Sequence, residues 1–348
     1  GPPCQGYSGI GHRRSYSVDK KDLPANQLFA RMAEVIEFFR PKIFLFENVK
    51  GLLSARWTPQ HDKGSVWKNV WSRFNDISGY EVHWSLVSSK DYGVPQNRPR
   101  VLLVGIRNDL LIQARFAGIV DHTSKKQRWD RQTAVEYGFL PRPTKDYPHP
   151  AELLSDLVDP AVTEILLSGK FPKHFRTGTS PSPPRSIVQK QLRTWPGESK
   201  PRGKGELLEN HEYSKHSAKI VAKFVAMLGN DGKIPEEFQT KKFSQRILKE
   251  KWAAAGPNIT ATSLPDDYVH YCQPRTLTVR EWARLQMFPD WYKFEGKRTT
   301  GGTRRSGNPR KGNHDRELPK YTQIGNAVPV KLAKEIGLTF ANILNLAK

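Results

Sequence analysis

The opening stretch, GPPCQGYSG, places a cysteine between two prolines and a run of small residues. Pro2 and Pro3 restrict the backbone before Cys4, and the glycines after it could let a large substrate approach the thiol. An isolated cysteine is most often a small buried hydrophobe, so this position alone does not establish a nucleophile. Because only a small fraction of a free thiol is ionised at neutral pH, a nucleophilic Cys4 needs positive charge nearby or an acid acting on the substrate.

A glutamate and two arginines could supply the rest of such chemistry. Glu47 stands at the carboxyl end of the apolar run KIFLFENV, where open α/β sheets place their reactive groups. Arg98 and Arg100 are two apart just before another apolar run, so in extended backbone they project to the same side. Their planar guanidinium groups could hold a base carbonyl or a phosphate. The ordinary alternatives remain open: a surface glutamate, and a solvated strand edge.

The spacing of apolar residues indicates the elements that must position these groups. Residues 26–39 predict an amphipathic helix that packs on one face, and residues 67–78 predict a second. The apolar positions of the first helix are Leu28, Phe29, Met32, Val35, Ile36 and Phe39. Short apolar runs typical of strands are residues 42–49, 80–89 and 101–107. This alternation predicts a mostly parallel sheet, with residues 1–110 as part of a doubly wound α/β domain.

The chain changes character after residue 110. Residues 111–272 are basic and rich in Pro, Gly and Ser, with one clear amphipathic helix at 216–229, which favours a small irregular domain. A short helix follows Leu277 or Thr278 and runs to Gln286. Residues 297–320 form a basic, Gly-rich insertion. The last segment predicts a helix whose packing face comprises Leu332, Ile336, Phe340 and Ile343.

The overall composition indicates a polyanionic partner. The 348 residues carry a formal net charge of +22, which favours nucleic acid, although a generally basic chain with no particular partner remains an alternative. Only two cysteines are present, which excludes a disulfide framework and a four-cysteine zinc site. No apolar run reaches the length of a membrane span, and we expect an intracellular, cytoplasmic protein.

Five successive motifs resemble those of the DNA (cytosine-5) methyltransferases. They are PPCQGYS, ENVKGLL, QNRPRVLLVGIR, RTLTVREWARLQMFPD and QIGNAVP. The resemblance covers residues 1–110 and 258–348, and hardly touches the middle of the chain, where that family varies. It implies an incomplete doubly wound, Rossmann-like methyltransferase sheet with a smaller target-recognition domain at 111–272. Residues 273–296 would form a junction helix motif, and residues 321–348 would return to the catalytic domain.

The resemblance also implies a mechanism. Cys4 would add to C6 of a cytosine flipped out of double-stranded DNA, Glu47 would act at N3, and Arg100, with Arg98 behind it, would hold the base and its O2. S-adenosyl-L-methionine would donate the methyl group to C5. No metal is implied.

Further contacts follow from the same resemblance. The cofactor would touch Pro3, Asn326 and Ala327, and the DNA would touch Gln5, Ser8 and Arg275. The setting would be a prokaryotic cytoplasm, associated with the nucleoid, in restriction-modification or epigenetic marking.

The sequence departs from the family pattern before Cys4. The family's first three motifs, which carry most of its cofactor contacts, are absent. We therefore expect a fragment, or one half of a split enzyme whose partner subunit brings the first strands, inactive without that segment. The alternatives are a DNA-binding subunit without catalysis and an RNA cytosine methyltransferase. The long middle region argues against an RNA methyltransferase, because a dedicated duplex-reading domain would have no obvious use in such an enzyme.

Overall fold

The computed structural model describes residues 27–121, 127–144, 146–239, 245–251, 256–260, 267–300 and 317–346. These residues divide into two compact units. Unit 1 holds the described residues of 1–92, 98–145 and 333–348, and unit 2 holds those of 93–97 and 146–332.

Unit 1 is built on a three-stranded sheet with the order β1-β3-β2. Its elements are α1 (Leu28–Phe39), β1 (Ile43–Val49), a 3-10 helix (Lys50–Ser54), α2 (Ser65–Asn75), β2 (Tyr80–Ser88), β3 (Pro99–Arg107) and α3 (Asn108–Phe116). The helices and strands expected from the sequence are confirmed within a few residues, and the mixed α/β class is confirmed.

The predicted parallel arrangement is only partly correct. Strands β1 and β2 run in the same direction, joined by a connection that contains α2, but β3 lies between them and is antiparallel to both. The reason is the length of the β2–β3 connection, which contains only a 3-10 turn at Ser89–Tyr92. A parallel return needs a crossover of a dozen or more residues, whereas a short connection brings the chain back antiparallel.

One face of this sheet carries the core of unit 1. Phe44 and Phe46 of β1 and Leu103 of β3 pack there with buried side chains of α1 and α2, including Phe74. On α1, however, fewer side chains are buried in the core than the sequence predicts. Phe29, Ala33 and Ile36 are buried, whereas Leu28, Val35 and Phe39 are exposed.

The segment after β3 belongs with unit 1 and not with the second domain expected from residue 111. The backbone N–H groups of Thr133 and Ala134 donate to the carbonyl of Trp84 on β2, at 2.9 and 3.2 Å. The buried His83 ring lies 2.6 Å from the hydroxyl of Thr133, and Gln132 accepts from the N–H of Leu86. These bonds cover the outer edge of β2, so the observed boundary falls near residue 145.

Unit 2 is mostly helical and irregular. Its elements are α4 (Pro150–Leu154), α5 (Pro160–Ser168), α6 (Ile187–Arg193), α7 (Ala218–Gly229), β4 (Arg246–Ile247), β5 (Tyr268–Val269), α8 (Val279–Leu285) and α9 (Lys320–Asn326). Strands β4 and β5 form a short parallel pair. The final helix α10 (Val330–Asn345) begins in the last residues of unit 2, and from residue 333 onward it belongs to unit 1. It buries Leu332, Ile336 and Ile343, with Phe340 half-buried, which confirms its predicted face.

Helix α8 is buried along its whole length, including its charged residues. It begins at a capping box in which Thr278 accepts from the N–H of Glu281 and Glu281 accepts from the N–H of Thr278. Around it lies a set of buried, paired charges that we call the α8 arginine cluster. Its members are Asp156, Arg193, Arg275, Arg280, Glu281, Arg284 and Asp290.

Candidate active site

Glu47 lies on the face of β1 that turns away from the α1–α2 core. Phe46 and Asn48, its neighbours along the strand, are buried on the core side, so the pleat directs Glu47 to the opposite face. Its side chain is 30% exposed. The sequence correctly predicts this residue near the carboxyl end of a strand.

The antiparallel register brings Arg100 to this glutamate. Glu47 is opposite Leu102, and Arg100 is opposite Val49, so Glu47 and Arg100 are diagonal neighbours on the same face. Arg100 Nε lies 2.6 Å from Glu47 Oε1, and the arginine side chain is 10% exposed. Arg100 Nη1 donates to the carbonyl of Pro99 at 2.9 Å, which directs the guanidinium along the strand.

Arg98 is buried directly before the same strand, and both its backbone N–H and its backbone carbonyl form hydrogen bonds. The N–H of Arg98 donates to Ser89 Oγ at 3.2 Å, and the N–H of Ser89 donates to the carbonyl of Arg98 at 3.2 Å. Pro99 follows as the first residue of β3, a position that tolerates proline because few ladder hydrogen bonds are needed there. The strand that carries Arg100 is therefore fixed at its first residues.

The Glu47–Arg100 pair can act on a planar polar ring. A carboxyl group accepts or donates at one atom of the ring edge, while a guanidinium donates to a neighbouring oxygen in a fixed fork. Because the carboxyl is partly exposed and the guanidinium is nearly covered, the pair is both accessible and held in one orientation. The structure thus brings together two of the predicted catalytic residues.

The other members of the predicted catalytic loop lie outside the described residues. These are Pro3, Cys4, Gln5 and Ser8. Their roles remain predictions from the sequence.

Arg275, which the resemblance places against DNA, has a different setting. It is completely buried, and two of its nitrogens pair with the carboxylate of Glu281 at 2.6 and 2.8 Å. Arg275 Nε donates to Gln273, and its guanidinium lies 5.0 Å from the ring of Tyr213. A buried guanidinium whose donors are taken by protein groups is not accessible to a phosphate. We therefore correct the expected DNA contact to a structural role in unit 2.

The two predicted cofactor contacts within the described residues lie at the end of α9. Asn326 is its last residue and is exposed, and Ala327 follows it, half-buried. Two such residues on one helix end cannot enclose a nucleoside, and the Gly-rich turn expected against the cofactor is absent from this sequence. The described residues therefore do not by themselves fit a complete site for S-adenosyl-L-methionine.

Sequence reasoning missed the α8 arginine cluster. Asp156 is fully buried and accepts from both Arg193 at 3.1 Å and Arg284 at 2.6 Å. Nothing in the surrounding sequence marks Asp156, because its partners lie far away along the chain. Glu281 could have been found, since the pattern TVRE beginning at Thr278 matches a helix capping box.

The described residues contain neither a membrane-spanning helix nor a metal-binding cluster. None of the helices there combines the length and apolar composition needed to cross a membrane. Within the same ranges, no group of three or more His, Cys, Asp or Glu side chains is placed to bind a metal ion.

Residues 1–341 match the family model of the C-5 cytosine-specific DNA methylases. The chain is similar to the Type II methyltransferase M.DdeI of Desulfomicrobium norvegicum, with 31% identity over 97% of this chain and 70% of that protein. It is also 26% identical to the Type II methyltransferase M.Bpa9945I of Bacillus paralicheniformis, over 99% of this chain and 70% of that protein.

Among solved structures, a protein described as a DNA modification methyltransferase encoded within an E. coli prophage superposes with a TM-score of 0.58. The identity is 20%, and the match covers 99% of this chain and 78% of that chain, so the likeness shows a shared fold. Because the family model matches residues 1–341 of the 348, the chain belongs to the C-5 cytosine-specific DNA methylases.

Proposed function

We propose that this chain carries the base-binding and target-reading parts of a DNA (cytosine-5) methyltransferase of a restriction-modification system. The observation that carries the proposal is the juxtaposition of Glu47 and Arg100 at 2.6 Å on one face of the sheet. Cytosine presents N3 and O2 side by side on its edge, and a carboxyl beside a guanidinium is complementary to that edge. The family membership and the similar Type II methyltransferases support the same function.

The chemistry begins with a flipped cytosine, because C6 is not accessible inside a duplex. The thiolate of Cys4 adds to C6 and forms a carbon–sulfur bond. The C5=C6 electron pair moves to C4=C5, and the C4=N3 pair moves to N3, which takes a proton from Glu47. Arg100 donates to O2 and stabilises the charge that develops on the ring. The product of these steps is an enamine that is nucleophilic at C5.

The methyl donor of the proposal is S-adenosyl-L-methionine, whose sulfonium carries an activated methyl group. Asn326 and Ala327 are proposed contacts for it, and the remaining contacts come from outside the described residues. C5 would take the methyl group with the C4=C5 electron pair, and the donor would leave as the neutral thioether S-adenosyl-L-homocysteine. The C4=N3 bond forms again as the N3 proton returns to Glu47. A base then takes the C5 proton, the C5–H electron pair forms C5=C6, and the bond from C6 to Cys4 breaks to release the thiolate.

The test is covalent trapping on duplex DNA that contains 5-fluorocytosine, with the donor present. Fluorine cannot leave C5 as a proton does, so the adduct persists and shifts the chain on a denaturing gel. The assay is run on this chain with and without a segment containing the family's first three motifs. We expect an adduct in the complemented reaction, and none with Cys4→Ser.

Cys272 provides a matched control, because it is the chain's other cysteine. Cys272→Ser should still form the adduct. Glu47→Gln should slow adduct formation by about 10²-fold or more, the usual contribution of a positioned acid. Absence of any adduct in the complemented reaction would contradict the proposal.

A second candidate is a DNA-binding subunit without catalysis of its own, which the net charge of +22 favours. It predicts duplex binding by the chain, and no adduct or methyl transfer under any of these conditions. The trapping assay therefore separates the two functions.

A further inference from the structure

An irregular antiparallel ribbon runs through unit 2. Residues 175–180 pair with residues 205–213 through a ladder of backbone bonds. The N–H of Tyr213 donates to Phe175 at 2.9 Å, and the N–H of Leu208 donates to Gly178 at 2.9 Å. The N–H of Ser180 donates to Glu206 at 2.8 Å. We refer to these two segments as the ribbon.

Four cationic side chains gather at the end of the ribbon near Phe175 and Tyr213. They are Lys173, Arg176, Lys215 and Arg298, which we call the ribbon patch. Lys215 Nζ donates to the carbonyl of Lys173 at 3.3 Å, which joins the two lysines across the ribbon end. Arg298 donates to the carbonyl of Glu212 and to Ser214 Oγ, both at 3.2 Å. The backbones of Arg176 and Glu212 pair in an isolated antiparallel β-bridge.

The cations of the ribbon patch differ from several other surface cations in their ion pairing. Within the residues that the structure describes, no carboxylate lies within 4.0 Å of any of the four. Elsewhere on the surface, Arg73 pairs with Glu37, Arg107 with Asp109, and Arg128 with Asp130. Lys173, Arg176 and Lys215 are also exposed, and Arg298 is half-buried.

A local excess of positive charge is supported by a neighbouring histidine. Burial, together with the nearby guanidinium groups of Arg298 and Arg275, lowers the pKa of His216 to about 4. His216 lies 3.3 Å from the hydroxyl of Thr276, inside unit 2. Like charges brought together repel one another, so this arrangement favours an anionic partner.

We propose that the ribbon patch is a phosphate-contact surface for duplex DNA. This inference rests on the proposed function, because DNA methylation supplies a duplex as the anion. Ammonium and guanidinium groups on a fixed backbone bind phosphate oxygens without reading sequence, and such contacts set the register of a protein on a duplex. Arg298 also stands at the start of the basic insertion 297–320, so the patch continues in sequence into more positive charge.

The test measures the salt dependence of DNA binding by the full chain. The affinity for a labelled 30-base-pair duplex is measured by fluorescence anisotropy over a range of salt concentrations. The binding constant K falls as the salt concentration rises, and each phosphate contact makes the slope of log K against log salt steeper by about 0.9. Arg176→Gln and Lys215→Gln should each reduce the slope by about 0.9, and the triple variant with Lys173→Gln by about 2.7. The loss should be the same on duplexes of unrelated sequence.

Paired cations of the same type provide matched controls. Lys249→Gln removes an exposed lysine of unit 2 that pairs with Asp231 at 3.1 Å, and Arg31→Gln removes an exposed arginine that pairs with Glu34. Each of these variants changes the net charge by one, as each single patch variant does, and each should leave the slope unchanged. Urea unfolding of each variant confirms that the fold is retained.

Three results would overturn the proposal. They are an unchanged slope in the triple variant, an equal reduction in the paired controls, and tighter binding of duplex RNA than of duplex DNA through the same residues. The binding assay needs neither methyl donor nor chemistry, so its outcome is separate from that of the trapping assay. A chain that forms the adduct with an unchanged salt slope contradicts the patch alone, and a chain with the expected slope but no adduct contradicts the proposed catalysis alone.

Discussion

The α8 arginine cluster and the Glu47–Arg100 pair use the same two kinds of side chain in different settings. In the cluster, Arg275 and Glu281 are both fully buried, and both guanidinium Nη atoms contact the carboxylate. In the pair, Arg100 is nearly buried while Glu47 is 30% exposed and is contacted through Nε. The cluster is closed to any ligand, whereas the pair presents a carboxyl group to solvent.

This difference shows why family motifs alone do not separate structural arginines from reactive ones. Burial alone would raise the pKa of Glu281, but the Arg275 guanidinium outweighs it and holds that pKa well below its usual range. A buried charge with its partner removed is strongly destabilising, so residues of this kind serve the fold. A pair in which water reaches the carboxylate contributes less to stability than a fully buried one, so the geometry of the Glu47–Arg100 pair is free to serve binding.

The largest effect is expected where one carboxylate serves two buried arginines. Asp156→Asn keeps the shape of the side chain but removes the negative charge shared by Arg193 and Arg284. We expect a loss of about 3 to 5 kcal/mol in the free energy of unfolding, the usual cost of an uncompensated buried charge. Urea unfolding followed by circular dichroism measures it. Glu34→Gln, which breaks the exposed pair with Arg31, is the control and should leave the midpoint unchanged.

A smaller effect is expected from pH, again in unit 2. Burial lowers the pKa of His211 to about 4, because the charged ring would lose its contact with water. The ring lies 2.9 Å from Thr278 Oγ1 and 3.1 Å from the carbonyl of Leu157. The unfolded chain then binds protons more readily than the folded chain between about pH 6.5 and pH 4. Stability is therefore complete above about pH 6.5 and falls as the pH decreases through this window. His211 alone accounts for about 2 kcal/mol by pH 5.

The histidine prediction is checked by urea midpoints between pH 7.5 and pH 5. Burial lowers the pKa of His270 to about 3, so it acts in the same direction. His211→Gln should reduce the loss of stability between pH 7.5 and pH 5 by the contribution of His211, whatever the stability of the variant at pH 7.5. Identical pH dependence in the variant and the parent chain would show that His211 does not titrate as proposed.

The smallest effect on stability is expected at the Glu47–Arg100 pair. Glu47→Gln keeps the size and shape of the side chain, and water reaches this position, which is 30% exposed. The loss in the free energy of unfolding should therefore be smaller than that of Asp156→Asn, about 1 kcal/mol. The same variant should slow adduct formation strongly. A loss of stability as large as that of Asp156→Asn would remove the distinction between the two regions.

Local pattern predicted most elements of the fold but not the way the strands pair. The runs around Phe44, Val82 and Leu103 were identifiable as strands because apolar residues of strand-forming type lie between turn residues. Strand β3 lies between β1 and β2 because the connection after Ser88 is short. The residue types of a strand do not show whether it pairs parallel or antiparallel to its neighbours. Similarly, the exposed apolar residues Val35 and Phe39 of α1 look like core residues, because periodicity does not show how wide a stripe the sheet covers.

Residue types and their spacing along the chain are sufficient to establish the order of the motifs, the helices and strands, and a charge balance suited to nucleic acid. The folded chain is needed to see that Glu47 meets Arg100 and that Arg275 is buried against Glu281. It is also needed to see that, among the described residues, no carboxylate pairs with a cation of the ribbon patch. Those outcomes depend on cross-strand register and on contacts between residues far apart in the chain. Register and long-range pairing are set by packing as a whole, and no local stretch of sequence specifies them.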